Sequence, residues 1–361
     1  MHKQKHILLT GGGSGGHIIP NLAVAEELKL QDPSVELIYL GSRNILDAQL
    51  VQPYAIPFYG IFAGKLRRYF SWQNFIDPIF VLIGFIQSLF IIIRFWPDVI
   101  FSKGGYVSLP VVLAAFILRR PIILHESDSV MGLANRIASK LAIKICVSFP
   151  NLAENNEKFI LTGNPIRKNI LNGNPDIGYK ITKFHPQKPT VLVWGGSLGA
   201  QKINEMIERD FSKLKSHFQI IHITGAGKGI NIPAACPDRG RQNPSYCSFE
   251  YLDEELKHIY AITDFVIGRA GANSIYELTL IQKPNILIPL QNADQQNNAA
   301  YFESIGASLV LREENLYDLL LALWENPNKQ EMMKEALKSI AKPEAASEIA
   351  SLILKTNRRP H

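Results

Sequence analysis

Short runs of apolar, β-branched residues alternate along the whole chain with longer segments whose apolar residues have helical spacing. Typical of the strand-like runs are HILLTGG and DVIFSKGG in the first half and TVLVWGGS in the second. Typical of the helical segments are IIPNLAVAEELKLQ and SIYELTLIQ. Continuous apolar strands separated by helices indicate parallel sheets that are covered on both faces. The pattern therefore predicts an α/β protein with doubly wound parallel sheets.

The alternation is interrupted by an Asn-, Pro- and Gly-rich segment, LTGNPIRKNILNGNPDIGYKITKFHPQKP, after which a second strand–glycine–helix unit begins. A chain of 361 residues is also too long for one ordinary core. We therefore expect two Rossmann-like domains, residues 1–164 and 165–339, with a C-terminal helix at about residues 340–357 that packs back on the first domain. Ligands of such sheets bind beyond the carboxyl ends of the strands, so two facing domains would share an interdomain cleft.

Glycine-rich turns end three of the predicted strands. LLTGGGSGGHIIP and VWGGSLGAQKIN each open a helix in their half of the chain, and FSKGGYVSLP adds a third turn in the first half. Such glycines let the backbone turn tightly, and a helix N-terminus offers N–H groups to an anion. A single turn of this kind fits simple helix–sheet packing, whereas three together favour phosphate binding, for which Ser197 is placed to donate. The first turn has the spacing of neither a dinucleotide fingerprint nor a Walker loop.

His17 follows the first turn, at a predicted helix N-terminus. There the helix dipole disfavours the protonated imidazole, which suits a general base. Polar side chains follow other strands as well. Each of them also has a purely structural interpretation, as part of a solvated turn, as a surface arginine or as a residue at a helix end. These further candidates are His125, Glu126, Asp128, Arg167, Arg269, Glu277, Gln295 and Gln296. Glu277 falls in the second turn of its predicted helix, where a carboxylate can accept both hydroxyls of a ribose.

Composition and charge narrow the function classes. The net charge of +6 suits phosphates, nucleotides or an anionic membrane surface, but it is too small and too scattered to indicate nucleic acid. The sequence has no metal-ligating constellation, so no metal is expected, and it has no G-x-S-x-G nucleophile elbow. No cofactor is expected either, since the glycine loops match neither the dinucleotide nor the Walker pattern. The N-terminal MHKQKHILLT runs directly into a strand-like segment without an apolar leader, so export is not expected.

Seven motifs, in order and across nearly the whole chain, resemble those of the MurG family. They are GGGSGGHIIPNLAVAEEL, FSKGGYVSLPVVLAA, HESDSVMGLANRIA, GNPIR, GGSLGAQKIN, GRAGANSIYEL and DQQNNA. The resemblance implies the GT-B fold, with two facing Rossmann-like domains. It also implies an inverting transfer of GlcNAc from UDP-GlcNAc to the C4 hydroxyl of lipid I, forming lipid II in peptidoglycan synthesis. Most members of the family have Asn where Asp128 stands.

The resemblance further implies roles for individual residues. His17 would be the base, with Glu126 orienting it or competing for the role, and the choice among His17, Glu126 and Asp128 stays open at this stage. The donor would contact Ser14, Gly15, Gly16, Asp128, Arg167, Ser197, Leu252, Arg269, Gly271, Ala272, Glu277, Gln295 and Gln296. The acceptor would contact Gly104, Gly105, Tyr106, Asn135 and Asn204, and its diphosphate would also reach Ser14, Gly15 and Gly16. Glu277 is expected at the ribose, Gln295 at the GlcNAc hydroxyls and Leu252 near the uracil.

The stretch DPIFVLIGFIQSLFIIIRFWPD carries no charge from Pro78 to Ile93 and approaches the length of a membrane span. A helical wheel gathers its polar residues on one side, which a spanning helix would not need. Those residues are Asp77, Gly84, Gln87, Ser88 and Arg94. We therefore expect a helix that packs partly on the first sheet and dips an apolar arc into the bilayer. The arc is expected to carry Phe80, Phe85 and Phe90, and Arg67 and Arg68 are expected to meet anionic headgroups.

The expected location is accordingly peripheral, on the cytoplasmic face of the cell membrane. The expected partners are undecaprenyl-linked lipid I, anionic lipids and other cell-wall synthesis proteins, but no nucleic acid. Two alternatives stay open. One is a related GT-B transferase that glycosylates diacylglycerol or another lipid. The other is a sugar-nucleotide-binding partner subunit without catalysis. A hydride-transferring dehydrogenase is disfavoured by the patterns of the glycine loops.

Overall fold

The computed structural model describes residues 4–64, 73–154, 156–195, 200–230, 232, 245–291 and 293–357. Arg67, Arg68 and Ser197, which the sequence singles out, lie outside these described residues. The chain divides into two compact units. Unit 1 comprises Met1–Arg167 and Lys342–His361, and unit 2 comprises Lys168–Ala341.

Unit 1 is built on a sheet of parallel strands. Its strands are β1 His6–Thr10, β2 Glu36–Ser42, β3 Phe58–Ile61, β4 Val99–Ser102, β5 Ile122–Glu126, β6 Lys144–Val147 and β7 Phe159–Leu161, in the order β3-β2-β1-β4-β5-β6-β7. The helices that connect them are α1 Gly15–Gln31, α2 Ile45–Val51, α3 Gln73–Phe95, α4 Ser108–Ile117 and α5 Leu133–Ala138. The central strands are almost fully buried because helices cover both faces, as the continuous apolar runs predict. The chain reverses direction across the sheet between β1 and β4, which is where such folds bind ligands.

Unit 2 repeats the architecture with a second parallel sheet. Its strands are β8 Thr190–Trp194, β9 Gln219–Ile223, β10 Tyr246–Phe249, β11 Phe265–Gly268, β12 Asn285–Leu287 and β13 Leu309–Val310, in the order β10-β9-β8-β11-β12-β13. Its helices are α6 Pro175–Thr182, α7 Gln201–His217, α8 Leu256–Ile262, α9 Ala272–Ile281, α10 Ala293–Ser304, α11 Leu316–Trp324 and α12 Pro327–Ile340. The direction of winding changes here between β8 and β11. Two Rossmann-like units are therefore present, as the sequence predicts.

The last helix, α13 Ala345–Lys355, belongs to unit 1 and packs on α1. Its buried Ile349 and Ile353 join the same core cluster as Leu22 and Leu28 of α1. Polar contacts reinforce this packing, because the Lys5 ammonium donates a hydrogen bond of 2.6 Å to the carbonyl of Thr356. The C-terminal segment therefore completes one face of the first sheet.

Helix α3 presents its polar side to the protein and its apolar side to the surroundings. Asp77, Gly84 and Ser88 are buried, and the Gln87 side chain accepts a hydrogen bond of 2.9 Å from the backbone N–H of Phe62. The outward face is apolar, with side chains that are 45–71% exposed. These residues are Ile76, Ile79, Leu82, Ile86, Phe90 and Ile93. The segment Ile76–Phe95 is long and apolar enough to cross a membrane by length and composition alone.

The composition of this arc corrects one sequence-based expectation. Of the three predicted aromatic residues, Phe90 is mostly exposed, whereas Phe80 and Phe85 lie toward the protein. Phe80 stacks on Phe62 with ring centroids 5.7 Å apart, and Phe85 packs against the core of unit 1. The outward arc is consequently formed mainly by Ile and Leu side chains.

Gly84 lies where α3 closely approaches the segment after β3. A Cβ atom added there would overlap the carbonyl oxygen of Phe62, so Gly84→Ala forces α3 outward. We expect this substitution to lower the free energy of unfolding by about 1–3 kcal/mol, as overpacking does. Chemical denaturation measures the change. Gly132→Ala is the matched control, because a Cβ at Gly132 meets nothing within 4 Å. Equal stability of the two variants would contradict the packing described for α3.

Candidate active site

The glycine turn after β1 is held in place by a buried carboxylate. Asp47, on α2, is fully buried and accepts hydrogen bonds from the backbone N–H of Gly13, at 3.0 Å, and from the hydroxyl of Ser42, at 2.7 Å. A Cβ atom at Gly12 would overlap the Asp47 carboxylate, so the turn needs glycine there. Gly13 also has a positive φ of 84°, a conformation that favours glycine. The sequence analysis missed Asp47, because it lies 34 residues from the turn that it anchors.

The N-terminus of α1 lies directly after this turn and carries several predicted residues. Ser14 is the N-cap, Gly15 is buried and Gly16 is exposed. The Ser14 side chain makes no capping hydrogen bond within the described residues. Tyr106 lies close against the turn, since a Cβ atom at Gly13 would be 2.7 Å from the Tyr106 hydroxyl. Backbone N–H groups at such a helix end are suited to an anionic group.

His17 is partly exposed in the first turn of α1, and its Nδ1 atom is buried without a hydrogen-bond partner among the described residues. Gly105 lies close against the imidazole, because a Cβ atom there would lie 3.0 Å from His17 Cδ2. Burial lowers the pKa of His17 to about 4, and the nearby positive charge of Lys103 lowers it further. The imidazole is therefore unprotonated at neutral pH, as a proton acceptor must be.

A buried lysine lies beneath His17, at the carboxyl end of β4. Lys103 is 1% exposed, and its ammonium donates to the hydroxyl of Ser127. Burial lowers the pKa of Lys103 to about 8, although the charges of Glu126 and Asp128 oppose this shift. Lys103 thus links the loop after β5 to the side of the site that holds His17. Lys103 belongs to the FSKGG motif, but the motif alone does not predict that its side chain is buried.

Glu126 is committed to holding the loop after β5. It is 4% exposed and accepts hydrogen bonds from the backbone N–H groups of Asp128 and Gly132 and from the Asn135 side chain, at 2.9–3.2 Å. Burial raises the pKa of Glu126, and the neighbouring Asp128 raises it further. A carboxylate with three donors in a buried site is poorly placed to take a proton from a substrate. The geometry therefore favours His17 over Glu126 as the proton acceptor.

Two amides that the family resemblance assigns to the acceptor make hydrogen bonds within their own units. Asn135 is 5% exposed, lies against Gly104 and donates to Glu126. Asn204 lies in unit 2, is 3% exposed and donates to the carbonyls of Thr224 and Lys228 while its Oδ1 meets His222. Both amides hold loops within their own units, and their contact with an acceptor stays a prediction.

Unit 2 gathers most of its predicted donor residues beyond β11. Gly271 is the N-cap of α9 and Ala272 is its first residue. Gln295 lies beside this helix end, because a Cβ atom at Gly271 would be 3.9 Å from the Gln295 Nε2 atom. Gln295 also accepts a hydrogen bond of 3.0 Å from the backbone N–H of Leu290. Asn298, which the sequence analysis missed, is fully buried and donates to the carbonyl of Ala270, so it fixes the turn that precedes α9.

The remaining predicted donor residues differ in exposure. Arg269 and Arg167 are half-buried, Gln296 is exposed and Leu252 is buried. Burial lowers the pKa of Arg269 from its ordinary value. Glu277 is half-buried in the second turn of α9, and its Oε2 atom accepts a hydrogen bond of 2.6 Å from the Tyr260 hydroxyl. Tyr260 was not predicted, since nothing in its local sequence marks it.

No group of three or more His, Cys, Asp or Glu side chains within the described residues could hold a metal ion. Two units with parallel sheets of this order, each with polar side chains at the carboxyl edge, have the GT-B fold that is found in glycosyltransferases. The chain belongs to glycosyltransferase family 28. The sequence profile of that family's N-terminal domain matches residues 7–147, and the profile of its C-terminal domain matches residues 190–350.

Curated relatives cover nearly the whole chain. A UDP-N-acetylglucosamine--N-acetylmuramyl-(pentapeptide) pyrophosphoryl-undecaprenol N-acetylglucosamine transferase of Legionella pneumophila (strain Lens) is 40% identical over 356 residues, which is 96% of each chain. The transferase of the same name from Clostridium botulinum (strain Langeland / NCTC 10281 / Type F) is 44% identical over 335 residues, 90% of this chain and 92% of that one. The resemblance to MurG that the motifs predict is confirmed.

Solved structures agree on the fold. The crystal structure of Acinetobacter baumannii MurG is 25% identical, covers 97% of this chain and 99% of its own, and superposes with a TM-score of 0.73. The glycosyltransferase of kitacinnamycin is 15% identical and gives a TM-score of 0.72 over 98% of this chain and 100% of its own. At that identity the second likeness bears on the fold alone.

The charge state of His17 can be tested by NMR titration of its ring. We expect the ring to stay neutral until the pH falls to about 4. Lys103→Met removes a positive charge beside the ring and should raise the pKa of His17, whereas Lys103→Arg should change it less. Unfolded histidine takes up a proton near pH ~6.5, so the contribution of neutral His17 to stability is lost as the pH falls from there toward 4. A pKa of His17 that is unchanged in Lys103→Met would contradict the proximity of the two groups.

Proposed function

We propose that this protein transfers GlcNAc from UDP-GlcNAc to the C4 hydroxyl of the MurNAc sugar of lipid I, forming lipid II in peptidoglycan synthesis. The observation that carries the proposal is the likeness to transferases of that name, 40–44% identical over 90–96% of this chain and thus spanning both units. The acceptor-binding role is assigned to unit 1 and the donor-binding role to unit 2.

His17 is the general base of the proposed reaction. It accepts the proton of the C4 hydroxyl while that oxygen bonds to the anomeric carbon of GlcNAc. The bond between the anomeric carbon and the UDP oxygen breaks in the same displacement, and its electron pair leaves with the β-phosphate. The configuration at the anomeric carbon is therefore inverted. Three features support this role: the partial exposure of His17, its place at the N-terminus of α1, and its neutral state.

The departing UDP develops negative charge, which prearranged hydrogen-bond donors stabilise. The N-terminus of α9 at Gly271 and Ala272 supplies backbone N–H groups, and the guanidinium of Arg269 supplies a positive charge in unit 2. Arg167 and Ser197 are assigned to the same diphosphate from their motifs. Glu277 is assigned to the ribose and Gln295 to the GlcNAc hydroxyls. The proposal requires no cofactor, since these groups can supply the donors themselves.

We further propose that the protein lies on the cytoplasmic face of the cell membrane without crossing it. Helix α3 connects β3 to β4, and both strands belong to the one parallel sheet of unit 1. Its outward arc of Ile76, Ile79, Leu82, Ile86, Phe90 and Ile93 is suited to the acyl-chain boundary of a bilayer. The acceptor's polyprenyl chain would be held in the same membrane. Arg67 and Arg68 are assigned to anionic headgroups on the sequence alone.

Transfer is tested with labelled UDP-GlcNAc and a lipid I analogue, with UDP-glucose and diacylglycerol in parallel. We expect transfer to lipid I alone. His17→Ala should lower kcat by about 10²–10⁴-fold, the usual worth of a positioned general base, and should leave donor binding nearly unchanged. Glu126→Gln is the comparison variant. A larger loss of kcat in Glu126→Gln than in His17→Ala would assign the base to Glu126, and transfer to diacylglycerol would assign a different acceptor class.

Membrane attachment is tested by sedimentation with vesicles that contain anionic lipids. Replacing Leu82 and Phe90 by Ser should release the protein at all salt concentrations, because the lost attraction is hydrophobic. Activity on a water-soluble acceptor analogue should persist in this variant. Leu30→Ser is the matched control, since Leu30 is 74% exposed on α1, away from α3. Unchanged binding of the double variant would contradict the peripheral arc. A protein that alkaline carbonate fails to extract would instead span the membrane.

A further inference from the structure

A short hydrogen bond joins α8 to α9 beneath the donor residues of unit 2. The hydroxyl of Tyr260 donates to the Oε2 atom of Glu277 at 2.6 Å. Hydrogen bonds from a hydroxyl to a carboxylate have this length when the acceptor is charged, and they are stronger than neutral ones. Glu277 is half-buried, so solvent does not fully compete with the tyrosine for this oxygen.

The tyrosine itself has little freedom to move. Tyr260 is 2% exposed, and its ring lies in tilted contact with that of Trp194, with centroids 5.9 Å apart. Trp194 is the last residue of β8, one of the two central strands of the sheet. A tyrosine has two side-chain torsions, and both are restricted when the ring is enclosed in this way. The position of its hydroxyl is therefore set by the packing of the sheet.

The carboxylate, in contrast, stands at the end of a flexible side chain. Glutamate has three side-chain torsions, and it loses more rotational entropy than most residues when it is ordered. A carboxylate that must meet two adjacent hydroxyls has to be held both in position and in the orientation of its plane. The Tyr260 hydroxyl fixes one oxygen of Glu277 and thereby restricts both.

We propose that Tyr260 is a positioning residue for donor recognition, which orients the Glu277 carboxylate toward the ribose hydroxyls of the uridine nucleotide before the nucleotide binds. The inference rests on the proposed donor site. Its consequence is discrimination between ribose and 2′-deoxyribose, because a preorganised acceptor gives more binding energy to a hydroxyl than a mobile one does.

Calorimetric titration with UDP and with 2′-deoxy-UDP tests the proposal directly. We expect Tyr260→Phe to weaken UDP binding by about threefold to tenfold, the usual worth of one hydrogen bond. Binding of 2′-deoxy-UDP should weaken by a smaller factor, so the preference for the ribonucleotide shrinks. In turnover, the KM for UDP-GlcNAc should rise while kcat stays within about twofold, because the lost interaction is made before and during the reaction alike.

Tyr246→Phe is the matched control, since Tyr246 is fully buried in the same unit and its hydroxyl contacts His222 instead of Glu277, at 3.0 Å. It should leave the preference between the two nucleotides unchanged. The positioning role is overturned if Tyr260→Phe weakens both nucleotides by the same factor, or neither. Glu277→Gln separates this failure from failure of the donor site. If Glu277→Gln leaves the preference for UDP intact, the ribose is bound elsewhere, and the assignment of Glu277 falls together with the role of Tyr260.

Discussion

The parallel pairing of β1 with β4 is the constraint on which the candidate base depends. Their register places Thr10 opposite Ser102, and the backbone N–H of Lys103 continues the pairing with a bond to the Thr10 carbonyl. Two loops that are far apart in sequence therefore leave the sheet at the same level. One leads into the first turn of α1, which carries His17, and the other carries Gly105, which packs against the imidazole. In unit 2, β8 and β11 are paired in the same way, which places Trp194 beside Gly268.

The loops at these edges are held by charged side chains, whose burial costs free energy. Lys103, Glu126 and Asp47 have almost no exposed surface, and each is hydrogen-bonded. A buried charge without a partner costs much free energy, so Lys103 and Glu126 depend on each other, and Asp47 depends on the Gly13 N–H and the Ser42 hydroxyl. The arrangement fixes the loops firmly, and it also sets the charge of the groups around His17. Stability of the edge and chemistry of the site are thus supplied by the same side chains.

The sequence was informative wherever a pattern repeats locally. Apolar runs and glycine turns predict both sheets, and single motifs suffice to place His17 and Glu277. Asp47, Asn298 and Tyr260 were not predicted, because each contacts a segment that only the fold brings near and none has a local sequence signature. Glu126 was assigned to chemistry because polar residues at strand ends suit ligands, and Asn135 and Asn204 were assigned to the acceptor because they match motif positions of the family. In the structure the same residues also hydrogen-bond to backbone groups of loops. The wheel of α3 separated its two faces, but it could not show that Phe80 stacks on Phe62.

Helix α13 makes the first unit dependent on residues that are synthesised after the whole of the second unit. Until these residues leave the ribosome, the stripe of α1 that contains Leu22 and Leu28 lacks its covering helix. All of residues 168–341 are made in between, which takes on the order of ten seconds or more at ordinary elongation rates. During translation the N-terminal unit therefore stays incomplete, and the apolar stripe of α1 is exposed to solvent and to chaperones. A nascent chain released early would carry this defect even with the whole of its donor-binding unit intact.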